Sequence, residues 1–420
     1  MSGNKKNAKH QKTMDYILSF LRNMKTRRYR DINNLLYNIR TNDLRDLLET
    51  LGPDHLFYRY ILEVLHNSSL ENAHCEALYN LAVILGEKKN VPAIIRRGGI
   101  DIILSFKNNP NTRLLHNVCW CLFGIASTEP QYRQLCIDKG VLNLAIELMI
   151  TREEDSITDI GGQIIYGMFH MRPYPSEEMS KPFFERIPDL LQLNDNSLKY
   201  ILWSLHFATS SNQEILKKLN IEKSLKPLIK SNQSSSLIPL MIIISDFFKI
   251  SSSDLHEYLD ELKSPLFHTD SNVRLQACRT TAEYARSEKT VNEMLNDGIY
   301  EIIITKLNNE DQHIREQAVY AVLRGFGLGS IDDKRKLAEL GGLEVITSYL
   351  AIAIAPFNSN LLDCLNSLVE EDFEFFTNKL KEINAVSTFY QLLTSHDEAL
   401  TAKAANLLSL VGDNYSKDEF

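Results

Sequence analysis

Glycine and proline are scarce in this 420-residue chain, 17 and 12 residues. A loop-rich all-β fold of this size uses more of both, and a low-complexity chain more still, so neither class fits. Long apolar runs are missing too. No uncharged apolar stretch reaches about 18 residues, so no segment reads as a membrane span. The opening residues, MSGNKKNAKHQKTMDY, hold no apolar core of a secretory signal. Cysteine is sparse and scattered, at Cys75, Cys119, Cys121, Cys136, Cys278 and Cys364, with no paired C-x-x-C. Reduced thiols in a cytosolic or nuclear protein are expected, not a disulfide framework. Positive charge does not dominate: 46 Lys and Arg stand against 54 Asp and Glu, a net charge of −8. General nucleic-acid binders are usually basic, so direct nucleic-acid binding is not expected.

Catalytic signatures are absent as well. No G-x-x-x-x-G-K-[ST], H-E-x-x-H or G-x-S-x-G occurs. Gly325, Gly327 and Gly329 in GFGLGS follow a helical pattern rather than a strand, which suits an inter-helix turn and not a phosphate cradle. Cys119 and Cys121 are two apart on a helix and point to different faces, so they share no metal. The expectation is a protein that is not an enzyme, with no cofactor and no metal.

What the chain does contain is an internal repeat. The composition is that of a folded protein, 44% hydrophobic and 24% charged. A polar turn, a Gly or Asn, and an apolar helix ending in Leu recur together. The phrase stands around Gly99, Gly140, Asn220, Gly298, Gly342 and Asn384, and weaker copies lie near Ile187 and Leu259. The steps are about 40 residues or twice that. Gly or Asn at that place permits the left-handed backbone needed between two helices set at a steep angle. Each unit then carries a second apolar helix, such as CEALYNLAVIL, NVCWCLFGIAS or YILWSLHFATS, with apolar residues at helical spacing. A unit of two or three helices cannot bury its own apolar face and becomes stable by stacking on its neighbours. The expected fold is all-α, an α-solenoid of eight or nine units from about residue 50 to 415. Its last helices would line an extended concave surface suited to peptides or proteins.

Aligning those last helices sets one position as a column: Tyr79, Trp120, Tyr166, Trp203, Ile242, Arg279, Tyr320 and Asp363. Four residues on lies a second column: Val83, Gly124, His170, Phe207, Asp246, Glu283, Arg324 and Ser367. Residues i and i+4 share a helix face, so the columns form parallel tracks. An aromatic at helical spacing is more often core than binding surface. The charged members of these columns argue for an open face, because charges rarely sit unpaired in a core.

These features resemble the importin-α (karyopherin-α) family of armadillo-repeat nuclear import adaptors, as a divergent member. The likeness extends over nearly the whole chain. It is most specific in GGQIIYGMFHMRPYPSEEMSKPFFERIPDLLQLNDNSLKYILWSLHFATS, where an aromatic helix, a proline-containing linker, a helix without the preceding Gly, and a Trp helix follow in the family's order. The resemblance implies a right-handed armadillo solenoid over residues 51–420. In the family the columns read W-x-x-x-N: indoles form slots for Lys and Arg stems, and Asn amides hold the cargo backbone. Trp120 and Trp203 match the family's Trp. Tyr79, Tyr166 and Tyr320 carry another aromatic ring there, and Arg279 would repel a basic peptide. No Asn stands in the second column, and Asp246 and Glu283 keep negative charge near the track.

Residues 1–50 read as a basic arm leading into the first helices. The first 30 residues carry Lys5, Lys6, Lys9, Lys12, Arg22, Lys25, Arg27, Arg28 and Arg30, with Asp15 the only acid. RRYRDINNLL resembles part of the family's importin-β-binding segment, which implies carrier contacts at Arg27, Arg28, Arg30 and Asn34. The resemblance therefore implies a shuttling adaptor, cytoplasmic and nuclear. It would bind cargo through Trp120, Trp203, Tyr79, Tyr166, Tyr320, Asp246 and Glu283, bind an importin-β-like carrier, and meet an export receptor at its C-terminal repeats. The missing Asn column supports an alternative, an armadillo scaffold for a non-transport protein partner.

Overall fold

In the computed structural model, left-handed backbone falls where the repeat phrase requires it. φ is positive at Gly98, Gly140, Asn220, Gly298, Gly341 and Asn384. In the two double glycines it is the first that turns left-handed, not Gly99 or Gly342. The second glycine opens the next helix where no side chain fits. A Cβ on Gly99 would lie 2.4 Å from Ile94 Cγ2, and one on Gly342 would lie 2.8 Å from the Leu337 carbonyl oxygen.

The structure describes residues 2–41, 44–52, 54–231, 233–250, 255–306, 310–350 and 355–411. Among them every regular element is a helix, and the fold is an all-α solenoid. The chain forms two units, Met1–Asn212 and Gln213–Phe420. In the first, the third helices of successive repeats stack side by side: Ile32–Thr41, Glu71–Leu85, Thr112–Ala126, Asp155–Phe169 and Asp195–Thr209. In the second they are Ser234–Ile250, Ser271–Tyr284, Gln312–Leu328, Ala355–Glu371 and Glu398–Val411. Their starts are set by the polar turns. Side chains of Asn111, Asn194, Asp270 and Asp311 accept hydrogen bonds from backbone N–H groups two or three residues on. Such a cap stabilises a helix by about 1 kcal/mol.

The N-terminal residues are part of the stack rather than a separate arm. Helix Ser2–Lys25 lies against Ile32–Thr41 and against helix Leu56–His66. It buries Ile17, Phe20 and Met24, while Ile32, Leu36 and Ile39 are buried on the following helix. The Phe20 ring meets the Phe57 ring edge-on, with centroids 5.5 Å apart. Each fully buried side chain of this size contributes about 1.5–3 kcal/mol. Arg27 ends the first helix in left-handed backbone, φ 55°. The Arg28 N–H reaches back to the Asn23 carbonyl at 2.9 Å.

The proline-containing linker after Asp155–Phe169 has its own clamp. Arg133 is 4% exposed and donates to the carbonyls of Met171 at 2.8 Å and Pro173 at 2.7 Å. One guanidinium thus satisfies backbone acceptors that the helix end leaves over. Burial lowers the pKa of that guanidinium.

Candidate partner-binding face

The columns read from the sequence have a structural signature. The residue after a first-column position donates to the carbonyl of the residue before the first-column position on the preceding third helix. Cys121 Sγ reaches the Leu78 carbonyl at 3.3 Å, which sets Trp120 beside Tyr79. Thr280 Oγ1 reaches the Met241 carbonyl at 2.9 Å, which sets Arg279 beside Ile242. The same bond occurs once more: Asn80 Nδ2 donates to the Leu36 carbonyl at 3.1 Å. Tyr37 therefore occupies the first-column position on helix Ile32–Thr41, and it is 51% exposed. The basic charge of this segment masks the repeat position. The signal was present, because Ile32, Leu36 and Ile39 have helical spacing and Tyr37 precedes Tyr79 by about one repeat.

From Tyr79 through Trp120 and Tyr166 to Trp203 the rings of this row are half-buried. Tyr79 and Trp120 meet edge-on at 5.3 Å. The Arg40 guanidinium covers the Tyr79 ring at 4.1 Å, a cation–π contact within the chain. Glu76, one turn before Tyr79, is shared by two guanidiniums, Arg40 at 3.2 Å and Arg113 at 2.6 Å. Burial works against the Arg40 cation, but Glu76 and Tyr79 together hold its pKa above the ordinary value. Tyr166 contacts Tyr200 and Phe207, which flank Trp203 along helix Asp195–Thr209.

The second column explains its own lack of amides. A Cβ on Gly124 would already lie 3.1 Å from Leu85 Cβ, so this glycine lets two third helices approach closely. Phe207 is stacked against Trp203 at 5.7 Å and against Tyr174 at 5.7 Å, filling the space beside the indole. His170 lies parallel to Tyr166, centroids 5.0 Å apart, and its Nδ1 donates to the Tyr166 carbonyl at 3.1 Å. Val83 is half-buried and carries no polar atom on its side chain.

The second unit presents charges that pair among themselves. Asp246 is 6% exposed and bridged by Lys249 at 3.3 Å. Glu283 is bridged by Arg324 at 3.0 Å, and the same arginine donates to the Ala285 carbonyl and lies 5.7 Å over the Tyr320 ring. Tyr320 is 38% exposed. Asp363 is bridged by Lys403 from the next third helix at 2.6 Å. Arg279 is exposed. The two acids expected to select a cationic ligand, Asp246 and Glu283, thus already face cations of the chain itself.

Arg27, Arg28, Arg30 and Asn34 are exposed, but they do not sit on a loose segment. Arg27 and Arg28 form the turn after helix Ser2–Lys25, and Asn34 lies in the first turn of Ile32–Thr41. Asn34 contributes its carbonyl to Asn38 Nδ2 at 2.8 Å. Among the described residues no group of His, Cys, Asp and Glu could hold a metal ion, and no helix is long and apolar enough to cross a membrane.

No family model matches the chain, and no curated protein matches it. Among solved structures, 343 chains match, so the architecture is widespread and does not by itself assign a function. One is the crystal structure of an engineered protein, an all-helical repeat protein, with a TM-score of 0.69 and 17% identity over 90% of this chain and 96% of that one. At that identity the likeness concerns the fold alone: the chain is similar to helical repeat proteins in architecture.

Proposed function

We propose that this chain is a non-catalytic adaptor of the importin-α kind. It takes a segment or surface of a protein cargo along the aromatic face of its first unit and links that cargo to an importin-β-like carrier. One observation carries the reading: Tyr79, Trp120, Tyr166 and Trp203 stand at one position of successive stacked third helices and are half-buried rather than enclosed. Rings held this way offer flat, weakly hydrated surface to the side chains of an extended partner at little cost in conformational entropy. Arg27, Arg28 and Arg30 supply an exposed cationic surface for the carrier, and shuttling between cytoplasm and nucleus follows from that role.

The experiment is a pull-down on immobilised importin-β, comparing the intact chain with Arg27→Ala/Arg28→Ala/Arg30→Ala. The triple variant is preferable to deleting residues 1–40, which would remove the buried Ile17, Phe20 and Leu36. Capture of the intact chain, weakened by the variant, is the expected outcome. Failure to capture either protein overturns the carrier link.

A second reading is a scaffold for a non-transport protein. It is favoured by the pairing of Asp246 with Lys249 and of Glu283 with Arg324, which leaves those acids engaged within the chain. Under that reading importin-β is not captured while a partner still perturbs Trp120 and Trp203. These two are the only tryptophans in the sequence, so selectively excited tryptophan emission reports on this face.

A further inference from the structure

We infer that the partner segment begins at Tyr37, and that it places an acidic side chain against Arg113 and Arg40. The inference rests on reading the aromatic row as a protein-binding face. It adds where the row starts and what charge that end selects.

The start follows from hydrogen-bond register. Asn80 to Leu36 repeats the relation of Cys121 to Leu78 and of Thr280 to Met241. Helix Ile32–Thr41 is therefore the first of the stacked third helices in its unit, and Tyr37 is the first ring of the row. Its 51% exposure gives it open surface at the position where Tyr79 and Trp120 follow. An extended chain alternates its side chains at about 3.3 Å per residue, so a short segment can bridge neighbouring rings.

The charge follows from stoichiometry. One carboxylate, Glu76, with only 8% of its side chain exposed, holds two guanidiniums. Arg40 contacts it with 27% of its own side chain exposed, and Arg113 with 56%. These three side chains together carry one more positive charge than negative, most exposed at Arg113, and the Glu76 that joins them lies one turn before Tyr79 on the same helix. Another carboxylate would complete the cluster, with charge-assisted hydrogen bonds to a planar, forked donor. A lysine or arginine brought to the same place would meet like charge, and the Tyr79 face that would receive it already carries Arg40. The occupant that fits is an extended protein segment that pairs Asp or Glu with aromatic or aliphatic side chains.

The test is a titration followed by tryptophan emission and by calorimetry. The full chain is mixed with a ten-residue peptide alternating Glu with Leu and Phe, and separately with the same peptide carrying Lys for Glu. The acidic peptide is expected to bind, with affinity falling steeply as salt rises. Arg113→Gln should weaken it by about ten-fold or more, and Tyr37→Glu should weaken it through ring loss and repulsion. Arg113→Gln leaves Arg40 on Glu76 and should keep the melting behaviour of the parent, and a melt of Tyr37→Glu beside it separates lost binding from lost folding. Two results overturn the inference while leaving the aromatic row a binding face: the lysine peptide binds instead, or the acidic peptide binds with equal affinity to both variants. If neither peptide gives heat or a change in emission, the binding-face reading falls, and the inference with it.

Discussion

His55 shows how one side chain ties the fold to pH. It caps helix Leu56–His66, its Nδ1 accepting the Phe57 N–H at 3.2 Å. That bond needs an unprotonated Nδ1, and burial lowers the pKa of the ring below its ordinary 6.5. The unfolded chain therefore binds more protons here than the folded one, and stability rises with pH. The contribution is complete above the ordinary value and is lost as pH falls through the depressed one. Melting temperature should drop between pH of about 7.5 and about 5. His55→Asn, which caps without titrating, should flatten that part of the profile. A profile identical in both proteins would show that the cap does not titrate. Gly124 and Phe207 belong to the same scale. Each explains a missing amide by something the sequence alone does not display, a backbone approach from Leu85 and a ring stacked on Trp203.

Among elements, the seam between third helices is where stability and register meet. Asn80 is fully buried and donates to the Leu36 carbonyl from another helix and to the Glu76 carbonyl of its own. Asn80→Ala removes the inter-helix bond and should cost about 1–3 kcal/mol in denaturant unfolding. Amides of helix Ile32–Thr41 should exchange faster in the variant, whereas those of Asp155–Phe169 should not. Uniform exchange in both proteins would mean that the seam does not anchor the first helix. Most of these elements were legible in the sequence. The helical period of the apolar residues and the Gly or Asn turns located the third helices and their order, because burial on one face and left-handed backbone each restrict residue choice. The N-terminal pair was obscured by its charge. Lys9, Lys12, Arg22 and Lys25 are exposed on a helix whose other face, Ile17, Phe20 and Met24, is core. The rings from Tyr79 to Trp203 were legible from spacing, whereas Tyr37 and the pairing of Glu76, Asp246, Glu283 and Asp363 were not. Each ion partner comes from a side chain whose direction depends on how neighbouring helices approach.

On the scale of the whole molecule, the N-terminal helices form part of the first unit. A chain lacking residues 2–41 loses Phe20 from its place on Phe57 and Leu36 from the seam with Asn80. A truncated chain should melt lower and be cut by protease within Leu56–His66 at concentrations that leave the full chain intact. Equal resistance would mean that the stack is already complete without them. The same helices concentrate charge. Lys9, Lys12, Arg22, Lys25, Arg27, Arg28 and Arg30 are exposed within a short stretch of a protein whose overall charge is −8. Average charge is then a poor guide to how the protein meets a charged solid. At neutral pH a sulfonated resin should retain it by this one region, even though an isoelectric point near 5.8 would send a uniformly charged protein straight through the column.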